Sequence, residues 1–295
     1  MIEDIYNEPK GKVIIVDWGI FSHQAIFVYA KLMKDKKTNP NVFVTQSNKI
    51  CLVSMISALS KIGVSKDDLI IIAQDNLLGS WRKQYKEEYK ADRKELRDKT
   101  AEESGIVWKD EWKKMDDLIS MLKEKAPVHV VNIPNIEADD IAAVACKYYA
   151  DKQIICVSYD GDWEQFWHYG DRVKLFSIKK KNNPYKIRPS NFNVYKKIAK
   201  EITSKTHNNL GSEVASERDY EIKKLIIDMI NLPKEVTEPI IEVLKDLSPN
   251  HGGDYSSIVT SVNCWNNVYD NKRVITYEKC LKASIKDKKY KGKKK

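Results

Sequence analysis

Seven carboxylates fall at four places where side-chain oxygens could do chemistry. Asp17 closes the apolar run 12–17 (KVIIVD), and Asp75 closes the run 69–75 (LIIIAQD). Glu137, Asp139 and Asp140 open a segment that follows the apolar run 128–133, and Asp160 and Asp162 follow the run 153–158 (QIICVS). Taken singly, each has an ordinary structural explanation. An Asp after a strand caps a turn or helix, Asp-Gly-Asp is a common turn, and acids favour the first turn of a helix. Their recurrence at one type of position points further, because open parallel sheets bind ligands outside the carboxyl ends of their strands. Seven like charges converging there would repel one another strongly. A hard divalent cation offsets that repulsion, and oxygen donors without His or Cys favour Mg²⁺ or Mn²⁺ over zinc.

A second group of residues is cationic. Residues 81–99 contain Arg82, Lys83, Lys86, Lys90, Arg93, Lys94, Arg97 and Lys99 against five acids. Arg82, Lys86, Tyr89, Lys90 and Arg93 follow helical spacing, which predicts one cationic face with an aromatic inside it. Such a face can hold phosphate while Tyr89 stacks on a base. The structural alternative is a solvated surface helix.

The elements that must position these groups alternate. Strands are expected over 12–17, 69–75, 128–133, 153–158 and 173–177, with a short partner strand at 185–188. Helices are expected over 22–33, 47–62, 81–100, 109–125 and 137–150. That order predicts an α/β domain with a central, mostly parallel sheet. The pattern changes near residue 190: a basic helix at 191–204, a polar linker at 206–218, then helices over 220–231 and 236–247. A smaller C-terminal helical region, 191–285, is therefore expected to follow a domain at 1–190. Trp163, Phe166 and Trp167 read as core, Trp108 and Trp112 as packing at the base of the basic segment, and the five histidines as scattered.

Composition narrows the function classes. The chain has 295 residues, 42% apolar and 32% charged, with Lys+Arg 51 against Asp+Glu 42 and a net charge of +9. No apolar run approaches the roughly 20 residues of a membrane span, and the acidic N-terminus lacks the apolar stretch of a signal peptide. Five widely spaced cysteines (Cys51, Cys146, Cys156, Cys264, Cys280) form no CxxC pair, so neither a zinc ribbon nor a disulfide framework is expected. A reducing cytoplasm fits, the host cytoplasm if the source is viral. The charge surplus sits in residues 81–99 and in the Lys-rich tail 286–295, which suggests a polyanion partner.

These motifs, in this order, resemble the 5′-nuclease (flap endonuclease) family, closest to its bacteriophage RNase H branch. The resemblance covers about residues 12–190. It rests on VIIVD ending in Asp17, IIAQD ending in Asp75, WRKQYKEEYKADR at 81–93, IEADDIAA at 136–143 and SYDGDWEQF at 158–166. It implies a PIN-like fold with a helical arch over about 81–115. It also implies metal ligation by Asp17, Asp75, Glu137, Asp139, Asp140, Asp160 and Asp162, two Mg²⁺ ions (Mn²⁺ possible in their place), and phosphate contact by Lys90 and Arg93. Arg82, Lys83, Lys86, Tyr89 and Lys94 would bind nucleic acid. The expected activity is 5′-to-3′ exonuclease or flap endonuclease action on RNA primers or DNA flaps during replication, by a monomer with a single-strand-binding protein as partner. DNA or an RNA–DNA hybrid would be the substrate.

The C-terminal region departs from the family pattern. The family's Gly-Asp-x-x-Asp-Asn motif has one counterpart, at 253–259, where Asp254 matches the first acid and Ser257 stands in place of the second. The helix-hairpin-helix expected after it is not recognisable. A catalytically weakened, structure-specific nucleic-acid-binding protein of the same fold is the alternative that this departure suggests.

Overall fold

The computed structural model describes residues 11–250 except 43, 77, 91–92, 179–182 and 204–213. Asp254, Ser257 and the Lys-rich tail lie outside the described residues. Five parallel strands form one sheet in the order β3-β2-β1-β4-β5. They are β1 (Val13–Asp17), β2 (Leu69–Ala73), β3 (His129–Val131), β4 (Ile154–Val157) and β5 (Val173–Phe176). The expected partner strand at 185–188 reduces to one antiparallel bridge, Phe176 to Tyr185. β1 is central, pairing with β2 on one side and β4 on the other. The chain leaves β1 towards β2 and leaves β4 towards β5, so successive connections diverge between β1 and β4. That divergence is a topological switch point, the place where α/β sheets open a binding crevice.

Helices cover both faces. They are α1 (Trp18–Thr38), α2 (Ser47–Ile62), α3 (Arg93–Ser104), α4 (Trp108–Lys125), α5 (Ala138–Tyr148), α6 (Val194–Ile202), α7 (Glu217–Ile227) and α8 (Lys234–Lys245). Alternate β1 side chains serve opposite faces, as the pleat requires. Ile14 and Val16 join α1, α2 and α4, with Phe21, Leu52, Met55 and Leu118 among the buried residues. Val13 and Ile15 join α5, α8 and a 3-10 helix at Asp162–Tyr169, with Ile141, Trp163, Phe166 and Ile240. Burial on both faces explains why the strands read as continuous apolar runs. Trp163, Phe166 and Trp167 are core, as expected.

Sequence signals explain several helix ends. Asp17 is the N-cap of α1, its carboxylate accepting from the Ile20 amide. Gly63 stops α2 at φ +70, a left-handed conformation that glycine adopts without a Cβ penalty. Asn193 and Ser216 cap α6 and α7.

The basic segment does not form the continuous helix that its spacing suggested. Residues Trp81–Gln84 make a single 3-10 turn, irregular turns follow, and α3 starts only at Arg93. Lys90 sits at φ +61. The reason is tertiary. Trp81, Arg82 and Tyr89 are buried, and the chain leaves helical dihedrals at Lys90, whose ammonium pairs with Glu137.

The C-terminal helices dock through a polar hinge as well as apolar contact. Gln165, fully buried in the 3-10 helix, donates to the Ile227 carbonyl (3.0 Å) and accepts from the Met229 amide (3.1 Å). Gln165→Leu keeps the volume but leaves both backbone groups unpaired, at about 1–3 kcal/mol. Urea unfolding should show that loss; a change below about 0.5 kcal/mol, the range of a neutral surface substitution, would mean that this link does not dock α7.

Candidate active site

Four carboxylates meet at the carboxyl edge of the sheet, around the switch point. Asp17 ends β1 and is buried, with Oδ1 accepting from Ile20 N (3.2 Å) and Oδ2 from the Ser158 hydroxyl (3.1 Å). Asp75 follows β2, is exposed, and accepts from the Ala138 amide (2.7 Å) at the start of α5. Asp139, in the first turn of α5, accepts from the Trp163 indole N–H (2.7 Å). Asp160 follows β4, and its Oδ1 accepts from the Asp162 amide (2.9 Å), forming an Asx turn.

These groups feel one another. Burial, then the charges of Asp75 and Asp160, push Asp17 up to about 7. Burial, then Asp160, Asp17 and Asp75, push Asp139 well above the carboxylate range, with Lys90 opposing. Among the described residues, no three His, Cys, Asp or Glu side chains are gathered tightly enough to hold a metal ion as they stand. The donor set is still of the right type, since carboxylate oxygens under mutual repulsion are what a hard divalent cation neutralises.

The other acids occupy a different environment. Asp140 has no exposed surface, and Arg82 grips it bidentately, Nη2 to Oδ1 at 2.7 Å and Nη1 to Oδ2 at 3.0 Å. The Trp81 indole donates to the same carboxylate (2.9 Å). Glu137 accepts from Arg82 Nη1 (2.6 Å), Lys90 Nζ (2.5 Å) and the Tyr89 hydroxyl (3.3 Å). The two acids also cap α5 reciprocally as a capping box. Burial works against the charge of Glu137, but Lys90 and Arg82 outweigh it and hold its carboxyl below the usual range. Burial likewise opposes the Lys90 charge, and Glu137 outweighs it, so Lys90 stays a cation. Asp162 donates its amide to Asp160 and starts the 3-10 helix.

The cationic residues therefore divide. Arg82 is 2% exposed and Tyr89 4% exposed, so the expected phosphate contact and base stack are replaced by internal bonds. Arg82 also donates through Nε to the Ile226 carbonyl (2.8 Å), tying this network to α7. Lys83, Arg93 and Lys94 are exposed, and Lys86 and Lys90 half-buried. Trp108 and Trp112 stack on each other and meet Phe27 and His23 edge-on, packing the base of α3 and α4. Three contributors were given no role at the acids by the sequence. Ser158 bridges Asp17 and the Asp160 amide, Trp163 positions Asp139, and Trp81 anchors Asp140. The only signal for Ser158 was its place between a strand and the Asp-Gly-Asp turn.

The raised carboxyl at Asp17 has a signed consequence. Its folded value of about 7 lies above its ordinary 3.8, so the folded state binds the extra proton. The associated stability is present at low pH and lost as pH rises from about 4 through about 7. Asp17→Asn keeps the acceptor for the Ile20 amide and removes the charge, and Ser158 can turn its hydroxyl to the new amide. With chelator at pH 8, this variant should melt roughly 5 °C above the wild type, with the gap closing towards pH 4. A gap independent of pH, or a less stable variant at pH 8, would overturn the electrostatic account.

The profile of the 5′-3′ exonuclease, N-terminal resolvase-like domain matches residues 12–198. The chain is 33% identical over 111 residues to ribonuclease H of Enterobacteria phage T4, a stretch that is 37% of this chain and 35% of that protein. It thus spans about a third of the length of this curated relative. Among solved structures, the zinc-bound 5′-exonuclease of bacteriophage T5 overlaps at TM-score 0.48 and 18% identity, over 93% of this chain and 98% of that one. A flap endonuclease of the same phage, in complex with DNA and metal ions, overlaps at TM-score 0.48 and 15% identity, over 79% and 99%. The matched profile covers more than half of the chain, from β1 into α6, and contains every acid at the carboxyl edge of the sheet. The chain belongs to the 5′-3′ exonuclease family, through its N-terminal resolvase-like domain.

Proposed function

We propose that the protein is a divalent-metal-dependent 5′-nuclease that hydrolyses phosphodiesters at the 5′ ends of RNA primers or DNA flaps. One observation carries the reading. Carboxylates from the ends of β1, β2 and β4 and the start of α5 share the switch-point crevice, and Lys90 is delivered to its rim by Glu137. Family membership supports hydrolysis.

In this reading Asp17, Asp75, Asp139 and Asp160 hold the metal, Mg²⁺ or Mn²⁺ and two ions in the full proposal. Bound there, the metal would lower the pKa of water and stabilise charge on the leaving oxygen. The protein's own groups supply the rest. Ser158 and the Trp163 indole fix the orientations of Asp17 and Asp139 by donating hydrogen bonds. Lys90, kept cationic by Glu137, offers a fixed positive charge to the phosphate as negative charge grows on its oxygens. Arg93, at the exposed first residue of α3, provides a second cation on the same approach. Lys83, Lys86 and Lys94 add attraction to the strand beyond the cut. Glu137 and Asp140 act as the anchors of Lys90 and Arg82.

The test is cleavage of a 5′-labelled flap and of an RNA–DNA hybrid with Mg²⁺. Cleavage should stop with chelator. Lys90→Met should lower kcat by about 10²–10³, the scale for removing one stabilising group from a transition state, with the far-ultraviolet spectrum unchanged. Asp160→Ala should abolish turnover. Wild-type activity in either variant would sink the assignment. Tight binding without turnover, at every Mg²⁺ and Mn²⁺ concentration, would replace it with a binding role.

A further inference from the structure

Cations and an aromatic gather on a surface that the proposed chemistry does not use. Helix α6 buries Val194, Ile198 and Ile202, at i, i+4 and i+8, and this leaves its opposite face to solvent. That face presents Lys196 and Lys200, both exposed, while Tyr195, 58% exposed, lies on the flank against the His168 ring. Among the described residues neither lysine makes an ion pair, whereas Lys197 on the flank is held by Glu164 and Glu201. Arg188 lies over the Phe192 ring just before the helix. The patch is therefore cationic.

Its position relates it to the acids. α6 packs against the 3-10 helix that starts at Asp162. Lys186, a neighbour of Arg188, donates to the Asp160 carbonyl (3.3 Å) and pairs with Glu164 (3.2 Å). The segment that leads into α6 thus touches the Asp160 loop. Helix α3, with Arg93 and Lys94 at its start, lies elsewhere, packed on α1, whose core contacts are on the opposite sheet face from those of the 3-10 helix. A substrate with its scissile phosphate at the crevice has α3 on one side and α6 on the other.

We propose that the exposed face of α6, through Lys196 and Lys200, binds the phosphate backbone of the duplex arm of the substrate. The proposal rests on the nuclease reading for the location of the cut. Charge complementarity selects nucleic acid, and the make-up of the face selects duplex. Single-strand binding relies on successive aromatic platforms for unstacked bases. This face offers two exposed cations and no run of aromatic platforms, a composition suited to phosphate and sugar. Lys196 and Lys200 are one helical turn apart, about 5.4 Å along the axis, close enough to serve neighbouring phosphates on one strand.

The test is fluorescence anisotropy with the full chain in chelator, so that nothing is cut. The probes are a short duplex with a 5′ overhang and a single strand of the same length, titrated between about 50 and 200 mM salt. Removing one cation that neutralises a phosphate should flatten the slope of log K against log salt by roughly one. Lys196→Ala/Lys200→Ala should therefore bind duplex about tenfold more weakly at low salt, with the slope shallower by roughly two and single-strand affinity unchanged. The control, Lys36→Ala/Lys61→Ala on exposed positions of α1 and α2, removes the same charge and should leave the slope in place. An unchanged duplex slope overturns the proposal, as does equal weakening on both probes or an equal effect of the control pair. Cleavage by the wild type with Mg²⁺ is scored separately, so a nuclease that cuts while α6 proves irrelevant, or the reverse, is told apart.

Discussion

A guanidinium taken out of water organises this protein. Burying Arg82 carries a desolvation cost, and only good geometry with full hydrogen bonding offsets it. Here Asp140 takes two of its donors, Glu137 one and the Ile226 carbonyl another. Breaking such a pair from one side typically costs roughly 3–5 kcal/mol. Three parts of the chain are consequently tied at one point: the segment after β2, the N-terminus of α5 and the end of α7. The irregular path from Trp81 to Lys90 follows from that tie. The departure from a regular helix is marked at Lys90, whose φ of +61 accompanies its pairing with Glu137.

The same tie sorts the acids. Glu137 and Asp140 are close to Asp139 in sequence but have the opposite electrostatic fate. Cations surround the first two, so both serve as fixed anchors. Asp139 projects to the crevice, where Asp17, Asp75 and Asp160 raise its proton affinity. Two residues on either side of one helical position thus build the scaffold, and the residue between them belongs to the site. The strain at Asp17 and Asp139 is the reverse of the stabilisation at Glu137. A fold that held all seven carboxylates in one cluster would be far less stable without a cation.

The positive surplus also gains a meaning by location. Some of it is internal and neutralised, as with Arg82 and Lys90. Exposed cations beside the crevice include Arg93 and Lys94 at the start of α3 and Lys196 and Lys200 on α6. Among the described residues no helix is long and apolar enough to cross a membrane. Long-range attraction can bring a polyanion to either flank, but only the crevice combines it with acids.

Much of this was legible in the sequence. Short β-branched runs ending in acids gave the strands, because a parallel strand buried on both faces must be apolar throughout. Helix α2 was bounded at residues 47–62 as read, because Gly63 stops it. The order of the acid motifs was enough to name a family. The roles of Arg82, Tyr89, Glu137 and Asp140 were not legible. Helical spacing relates residues three or four apart, whereas Arg82 finds its partners some 55 residues away at Glu137 and 144 away at Ile226. A charge has no intrinsic address on the surface or in the core. Its burial depends on whether distant segments bring counter-charges and carbonyls to it, and only the packed chain decides that.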